Sequence, residues 1–497
     1  MATNTQKLSR HTLAVAWILV IGALAPMLDS TMVNIAIHSL TTSFHSTVAT
    51  VQWTITGYVL ATGIAVPFSG WLINRFNGKF VFLFGEIIFL IGSLLSATAG
   101  SINALNLDRL VQGFGAGIIV PLLTTLLVQT AGQEHMGQLM AVVGLPILLG
   151  PILGPVIGGI ILKYLSWRWI FWINAPVAAL SAGIIIWKLP NFPALNKQAW
   201  LDWPGTLLLA AGSSAIIYGV VQASTKASFT NHSTLTFASV GLVIFAIYFL
   251  WSWRAQNKAV LPLSLFAHRS FNASMISLLL AGVVMNGPML LLPLFFQQVR
   301  GMSVINAGLM LIPQGLGMLV ARPTIGRLID TIGSRDVVLV SLVLTFVGTL
   351  PFTVFGAKTS VIWIAIVLFV RGIGVGGILS PLMTDAYTGL QPIQIPAASI
   401  GTRITQNVGG ALGSAFVATL ISKYVHAHLN HFQHQVKTGH YHVQPAEMAT
   451  FLHHHMILIQ LHAFQNAFLI TTLASLLMFL PALFLTNKRK QQKNLND

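Results

Sequence analysis

Charged side chains are scarce in this chain of 497 residues, where Asp, Glu, Lys and Arg together make up 7% and hydrophobic residues 55%. Because soluble domains carry about 25% charged residues, a soluble fold of this size is excluded. Cysteine is absent, which excludes disulfides and thiolate metal sites. Lys and Arg outnumber acidic residues by 26 to 10, but they are dispersed between apolar segments and form no basic face. No nucleic-acid partner is therefore predicted.

Long apolar stretches recur along the whole chain, and about 20 such residues cross a bilayer as a helix. The stretches are continuously apolar and too long for the alternating strands of a membrane barrel, so helices are predicted. The first stretch lacks a cleavage-like site and is predicted to be a retained helix rather than a signal peptide. Fourteen helices are predicted, at 12–37, 51–74, 80–100, 104–128, 137–162, 167–187, 204–222, 234–253, 272–297, 305–328, 337–356, 361–386, 397–424 and 464–486.

The basic residues between these helices are unevenly distributed. With both termini inside, fifteen Lys and Arg lie in cytoplasmic segments and seven lie outside. This bias follows the positive-inside rule. The sequence therefore predicts an all-α, multi-pass protein of the plasma membrane with both termini in the cytoplasm.

An internal repeat indicates how the helices are arranged. Residues 70–79 follow the second predicted helix, and the similar residues 326–335 follow the tenth, at an offset of 256. The glycine runs at 113–117 and 372–376 repeat at an offset of 259. Two homologous six-helix halves with two helices inserted between them are predicted, as in many secondary transporters. The predicted units are 1–190, 191–258, 259–425 (five helices of the second half), a His-rich outer loop at 426–463, and 464–497.

Five segments resemble motifs of one family. They are 28–36 (LDSTMVNIA), 70–79 (GWLINRFNGK), 109–113 (RLVQG), 150–159 (GPILGPVIGG) and 167–176 (WRWIFWINAP). Over essentially its full length the chain resembles the fourteen-helix drug:proton antiporters of the major facilitator superfamily. His38 stands where the family usually has Pro, and Asn74 where it has Asp. The resemblance implies the major facilitator fold, a rocking mechanism and proton-coupled export of amphipathic compounds.

Ionisable side chains inside a bilayer are costly and are functional candidates by default. Asp29 in the first helix and Arg109 in the fourth lie at matching depths. A carboxylate beside a cation can load and release a proton as its surroundings change, so Asp29 is predicted to carry the proton and Arg109 to modulate it. The alternative is a permanent ion pair that pins the two helices together.

Three further charged residues are candidates for substrate binding or coupling. Glu86 either binds a cationic substrate or extends to the membrane surface. Arg371 either binds anionic groups, balances an acid of the second half, or bonds to carbonyls beside its neighbouring glycines. Asp385, near the inner end of the twelfth helix, is predicted at a gate or a solvated helix end.

Glycines mark two further features. Those of the fifth helix are spaced four apart on one face, where a neighbouring helix can approach closely, while two prolines bend the helix. This motif either acts as a pivot or only provides tight packing. It comprises Gly150, Pro151, Gly154, Pro155, Gly158 and Gly159. The loops after the second and tenth helices are predicted to act in gating through Gly70, Asn74, Arg75, Gly78 and Lys79, and through Gly326, Asp330 and Arg335.

Ten of the sixteen histidines lie between residues 425 and 463. Such tracts can bind metal or sense pH, but a solvated, neutral loop is predicted, with no metal site and no cofactor.

Proton-coupled export of an amphipathic or cationic drug is the leading functional hypothesis, with protons and the lipid bilayer as the other partners. Transport of one defined metabolite is an alternative. A membrane-embedded enzyme would need clustered carboxylates or histidines at the surface, and the short cytoplasmic loops carry none. A phosphate-binding Gly-Lys-Ser/Thr loop is also absent, which disfavours an ATP-driven pump.

Overall fold

The protein was analysed as a computed structural model, which describes residues 9–131, 150, 153–154, 156–437 and 448–487. These residues form helices and contain no β-strand. The first half comprises α1 (Arg10–Ser43), α2 (Val48–Arg75), α3 (Gly78–Thr98), α4 (Ile102–Ala131), α5 (156–164), α6 (Trp169–Trp172) and α7 (Asn174–Lys188). Next come α8 (Trp203–Thr225) and α9 (His232–Ala255). The remainder comprises α10 (Arg269–Gln298), α11 (Val304–Leu309), α12 (Ile312–Ile332), α13 (Ser334–Thr349), α14 (Val361–Gly376), α15 (Leu379–Tyr387), α16 (Ile395–Lys437), α17 (Met448–Leu477) and α18 (Phe479–Ala482).

Small polar residues fix where several helices begin. Ser9, Thr47, Asn77 and Asn231 accept backbone N–H groups at the starts of α1, α2, α3 and α9. Such caps satisfy donors that the first turn of a helix leaves free. The helices therefore begin at signals that can be read from the sequence.

Twelve helices within the described residues are long and apolar enough to cross a membrane. Two of the predicted helices are not among them. The helix predicted at 137–162 lies largely outside the described residues. The one predicted at 305–328 corresponds to α11 and α12, and α12 holds Arg322, Arg327 and Asp330, which lower its hydropathy.

Close contacts at glycines reproduce the internal repeat in three dimensions. A side chain at Gly113 of α4 would collide with the carbonyl of Tyr58 in α2, and one at Gly372 of α14 with the carbonyl of Gln314 in α12. Tyr58 and Gln314 are 256 residues apart, the offset of the repeated loops. Two further glycine contacts repeat in the same way. Gly115 lies against Phe89 as Gly374 lies against Thr345, and Gly117 lies against Thr62 as Gly376 lies against Met318; in both cases the residues contacted are 256 apart. The packing of α2, α3 and α4 thus recurs in α12, α13 and α14.

The region predicted as a His-rich outer loop at 426–463 is largely helical, so the loop prediction is wrong. Helix α16 continues to Lys437, and α17 already begins at Met448. No Gly or Pro interrupts 425–437, and a helix satisfies its backbone hydrogen bonds in water as it does in lipid. Phe432 of α16 stacks on His455 of α17, with ring centroids 4.8 Å apart. Hydropathy located the apolar parts of these two helices, 397–424 and 464–486, but the helices themselves are longer.

Apolar packing between the halves differs at the two ends of the bundle. At the end that carries residues 76–79, Ile73 and Leu126 belong to one buried cluster with Ile395 and Ile400 of the second half. At the opposite end, the described residues form separate clusters, one in each half. The boundary is therefore packed most extensively at the 76–79 end.

Candidate functional site

Asp29 lies in the middle of α1 and is fully buried. Its carboxylate accepts a hydrogen bond from Arg109 NH1 at 2.5 Å. Gln112 Nε2 and Asn174 Nδ2 donate to its other oxygen, each at 3.0 Å. Since α4 and α7 supply these three donors, the ionised carboxylate is stabilised by groups on two helices besides its own.

Arg109, 1% exposed, is fixed from several directions. Its Nε donates to the Thr54 carbonyl at 2.9 Å, and NH1 also donates to Gln112 Oε1 at 2.6 Å. The guanidinium lies over the Tyr58 ring, 4.1 Å from its centroid, a favourable cation–π arrangement. The Tyr58 hydroxyl in turn donates to the Pro26 carbonyl of α1 at 3.1 Å. The structure thus joins Asp29 and Arg109 in one network that ties α1, α2 and α4 together.

Asn174 extends this network toward α3. Its Nδ2 also donates to Ser93 Oγ at 2.9 Å, and Ser93 donates to the Phe171 carbonyl at 2.9 Å. Sequence reasoning did not assign roles to Gln112, Asn174 or Ser93. Two of them lie within segments that carried the family resemblance, 109–113 and 167–176, and this was the available signal.

The arrangement joins a buried carboxylate to the packing of its neighbouring helices. Arg109, Gln112 and Asn174 all donate hydrogen bonds to Asp29, and hydrogen bonds to a charged group are the stronger ones. A relative movement of α1 and α4 would separate the carboxylate from its cation, which is costly for a buried charge.

The glycine face predicted for the fifth helix packs against α1 around Asp29. A Cβ at Gly150 would lie 3.1 Å from the Met27 carbonyl, and one at Gly154 would collide with Thr31. A Cβ at Gly158 would lie 3.3 Å from the Met32 carbonyl. Gly159 is half-buried beside this face, while Pro151 and Pro155 lie outside the described residues. The fifth helix therefore has room to approach the backbone turns that hold the carboxylate.

We expect Gly158→Val to destabilise the protein by about 1–3 kcal/mol, the usual cost of overpacking, and to slow transport. Valine is stiff at χ1 and would push the fifth helix away from α1. Gly183→Val in α7 is the matched control, because nothing lies within 4 Å of a Cβ there. Thermal unfolding in detergent and transport in proteoliposomes measure both effects. Equal behaviour of the two variants would rule out a close contact at Gly158.

Glu86 lies apart from the Asp29 network and is 3% exposed. Its Oε1 accepts a hydrogen bond from Ser181 of α7 at 2.7 Å and packs against Gly22 of α1. The expectation that it extends to the membrane surface is wrong, because α1, α3 and α7 enclose it. These helices all belong to the first half.

Arg371 occupies in the second half the place that Gln112 occupies in the first. Its NH1 donates to Gln314 Oε1 at 2.6 Å, and Nε donates to Thr349 Oγ1 at 3.2 Å. These partners are side chains, not the carbonyls beside the neighbouring glycines. No carboxylate of the described residues forms an ion pair with Arg371.

Asp385 is buried near the C-terminal end of α15, so the expectation of a solvated helix end is wrong. Both of its oxygens accept the Thr486 N–H at 3.2 Å. The Arg335 N–H also donates to the Thr486 carbonyl, at 3.1 Å. Asp330 and Gly326 lie in the last turns of α12, before this contact. The second predicted gating loop therefore meets the chain that follows α18.

The first predicted gating loop is held by the end of α7 and by the segment between α7 and α8. Arg75 donates to the Lys197 carbonyl, and Lys79 Nζ donates to the Ile186 carbonyl at 2.9 Å, near the end of α7. The Gly78 N–H donates to the Phe192 carbonyl at 2.9 Å.

Asn74 and Gly70 differ in what they contact. The Asn74 carbonyl accepts the N–H of Asn196, which lies in the segment between α7 and α8, at 2.9 Å. Gly70 instead lies against Ile400 of α16, which belongs to the second half. Gly70 is thus the member of this loop that contacts the opposite half.

Two arginines within the helical bundle were missed by sequence reasoning. Arg322 lies in α12 and is 4% exposed, and Arg403 lies in α16 and is half-buried. Both fall within predicted membrane helices, so the cost of burying a charge in a bilayer was the signal that could have found them.

Two packed sets of helices with a recurring interior, the first of which encloses a buried ion pair, define a membrane transporter built from repeated halves. Residues 19–414 match the profile of the Major Facilitator Superfamily, and the chain belongs to this superfamily. It is accordingly a transporter of small molecules and not an enzyme.

Individual relatives agree with this class. The chain is 33% identical to the Multidrug resistance protein B homolog of Mycobacterium tuberculosis over 415 residues, which cover 82% of this chain and 76% of that protein. It is 27% identical to the Lincomycin resistance protein LmrB of Listeria monocytogenes over 421 residues, covering 85% and 88%. The solved structure of the proton:xylose symporter XylE aligns with a TM-score of 0.59 and 14% identity, covering 93% and 94%. At this identity, the structural similarity shows the fold alone.

Proposed function

We propose that this transporter exports amphipathic small molecules in exchange for protons, with Asp29 as the proton carrier. The observation that carries the proposal is the buried Asp29 carboxylate, which accepts hydrogen bonds from Arg109, Gln112 and Asn174. In this proposal, one state keeps the carboxylate ionised in this network. In the other state, α1 separates from α4 and Asp29 carries a proton. The names of the multidrug- and lincomycin-resistance relatives support a drug-like substrate.

The glycine face of the fifth helix gives the proposal a mechanical part. Gly150, Gly154 and Gly158 contact the turns of α1 on either side of Asp29. Rocking of one half against the other would change this contact, and with it the surroundings of the carboxylate. Gly70 and Gly326, with the charged residues of their loops, would limit that motion at the cytoplasmic end.

We further propose fourteen membrane helices arranged as six, two and six, in the plasma membrane with both termini in the cytoplasm. The first half would span 1–190, the inserted helices 191–258, and the second half the remainder. The repeated glycine contacts support two equivalent sets of helices. Helices α8 and α9 pack on each other at Gly212, Gly219 and Gly241, as expected of an inserted pair.

Proteoliposomes with an imposed pH gradient test the proposed exchange. We expect an acidic lumen to drive uptake of a permanently charged dye such as ethidium, because protons leave as dye enters. Dissipating the gradient with nigericin should abolish uptake, and empty liposomes give the background. Uptake driven by an alkaline lumen instead would indicate symport, and uptake independent of the gradient would exclude proton coupling.

A further inference from the structure

One face of α16 carries polar donors into the boundary between the two halves. Arg403, Gln406, Asn407 and Gly410 are spaced three, four and seven residues apart, so they share a face. Four residues before Arg403, Ser399 Oγ donates to the Pro121 carbonyl of α4 at 3.0 Å, and Ile400 of α16 lies against Gly70 of α2. Arg403 shares a face with these two residues, so it lies on the side of α16 that meets the first half.

The donors on this face are poorly satisfied. Arg403 NH1 donates to Gln406 Oε1 at 3.4 Å, a long hydrogen bond, and Arg403 Nε has no partner. Asn407 Nδ2 also has no partner. Gln406 Nε2 donates to the sulfur of Met383 at 2.7 Å, and a thioether is a weak acceptor. On this face, the groups that lack a good hydrogen-bond partner are all donors, so what is missing is an acceptor.

The charge of Arg403 is also unbalanced. No carboxylate of the described residues forms an ion pair with it, and the charge of Asp29 is already matched by Arg109. Water can accept hydrogen bonds from these donors, but it cannot neutralise a guanidinium. A cation removed from water is stabilised by an anion, and the part of either half that the structure describes supplies none to Arg403.

The surroundings suit an amphipathic molecule. Met383 and Met275 both lie against α16, where Thr405 contacts the Met275 sulfur at 3.6 Å. Unbranched methionines adapt to apolar groups of different shapes. A charged group at Arg403 would thus lie next to a flexible apolar wall.

We propose that Arg403, with Gln406 and Asn407, binds the anionic group of an amphipathic substrate, such as a carboxylate or a sulfonate, at the boundary between the halves. This inference rests on the proposed function in that it places the substrate path at that boundary. It adds a preference for substrate charge: an anionic group strengthens binding through Arg403, whereas neutral and cationic molecules bind at the boundary without this contact. Arg371, buried behind Gln314 and Thr349, adds positive charge to the same half.

Binding of two matched probes to the full chain in phosphatidylcholine nanodiscs tests the inference. The anion 8-anilino-1-naphthalenesulfonate and the neutral N-phenyl-1-naphthylamine share a skeleton and differ in the sulfonate. We expect wild-type protein to bind the sulfonate about tenfold more tightly, a typical effect of one charge-assisted contact. Arg403→Gln should remove this preference, and Arg403→Lys should retain part of it. Arg254→Gln, at an exposed position of α9, removes a charge elsewhere and should bind both probes as wild type does.

Equal affinities of wild-type protein for the two probes would overturn the inference, and this comparison does not depend on a variant folding. An undiminished sulfonate preference in Arg403→Gln would overturn it as well. The outcome is separable from that of the proposed exchange. Loss of gradient-driven ethidium uptake with an intact, Arg403-dependent preference would refute proton antiport alone.

Discussion

Asp29→Asn is expected to abolish pH-driven accumulation of dye in proteoliposomes. The amide has nearly the shape of the acid and can still accept the hydrogen bonds of Gln112 and Asn174, but it cannot carry a proton. With one proton exchanged per dye, a gradient of one pH unit supports up to about tenfold accumulation. Accumulation should fall to the level of empty vesicles, while downhill exchange of dye between the two sides persists.

Asp108→Asn is the control for this variant. Asp108 precedes Arg109 in α4 and is half-exposed, so the same chemical change there should leave accumulation as in wild type. If the Asp29→Asn protein still accumulates dye against its gradient, Asp29 is not the proton carrier.

Arg109→Gln is expected to destabilise the protein by about 3–5 kcal/mol, because it leaves the buried carboxylate of Asp29 without its cation. The variant also loses the contacts of the guanidinium with Thr54 and the Tyr58 ring. Thermal or denaturant unfolding in detergent measures the change. Exposed Arg254→Gln, which removes an equal charge from α9, should unfold like wild type.

The double variant Asp29→Asn with Arg109→Gln separates coupling from a purely structural ion pair. Because neither charge remains, we expect it to be more stable than the Arg109→Gln protein. Proton-coupled accumulation should nevertheless be absent. A double variant that accumulates dye like wild type would show that the pair only pins α1 to α4.

The ion pair was predictable from sequence because charged residues within membrane helices are rare and their depths can be estimated. The amides that complete the site were not, since Gln112 and Asn174 are uncharged and carry no comparable penalty in a bilayer. The sequence pointed to these two amides only because they lie in 109–113 and 167–176, two of the segments that carry the family resemblance. Arg403 did carry that penalty, but its lack of a hydrogen-bond acceptor at Nε depends on the packing around it and cannot be read from the sequence.

The glycine spacing in the fifth helix predicted a close contact without predicting the neighbour. A face of small residues accommodates any helix, so the choice of α1, and hence the link to Asp29, follows from the fold. The repeat was more informative. The offset of 256 between loops also relates Tyr58 to Gln314 in the structure.

Hydropathy was least informative at helix ends and helix breaks. It placed the ends of the last two helices too close to the bilayer, since α16 and α17 continue as helices into the histidine-rich segment. It also treated 361–386 as one helix, although a turn between Gly376 and Leu379 divides this segment into α14 and α15. Neighbouring helices determine such breaks, and an average over a window does not contain them.

Proton release on substrate binding tests the role of Asp29 most directly. Dye of fixed charge is added to purified transporter in weakly buffered solution across a range of pH, and the protons released are counted. Linkage requires that a substrate which competes with a proton displaces it. We expect wild-type protein to release up to about one proton per chain and Asp29→Asn to release none. Equal release from both proteins would contradict the account.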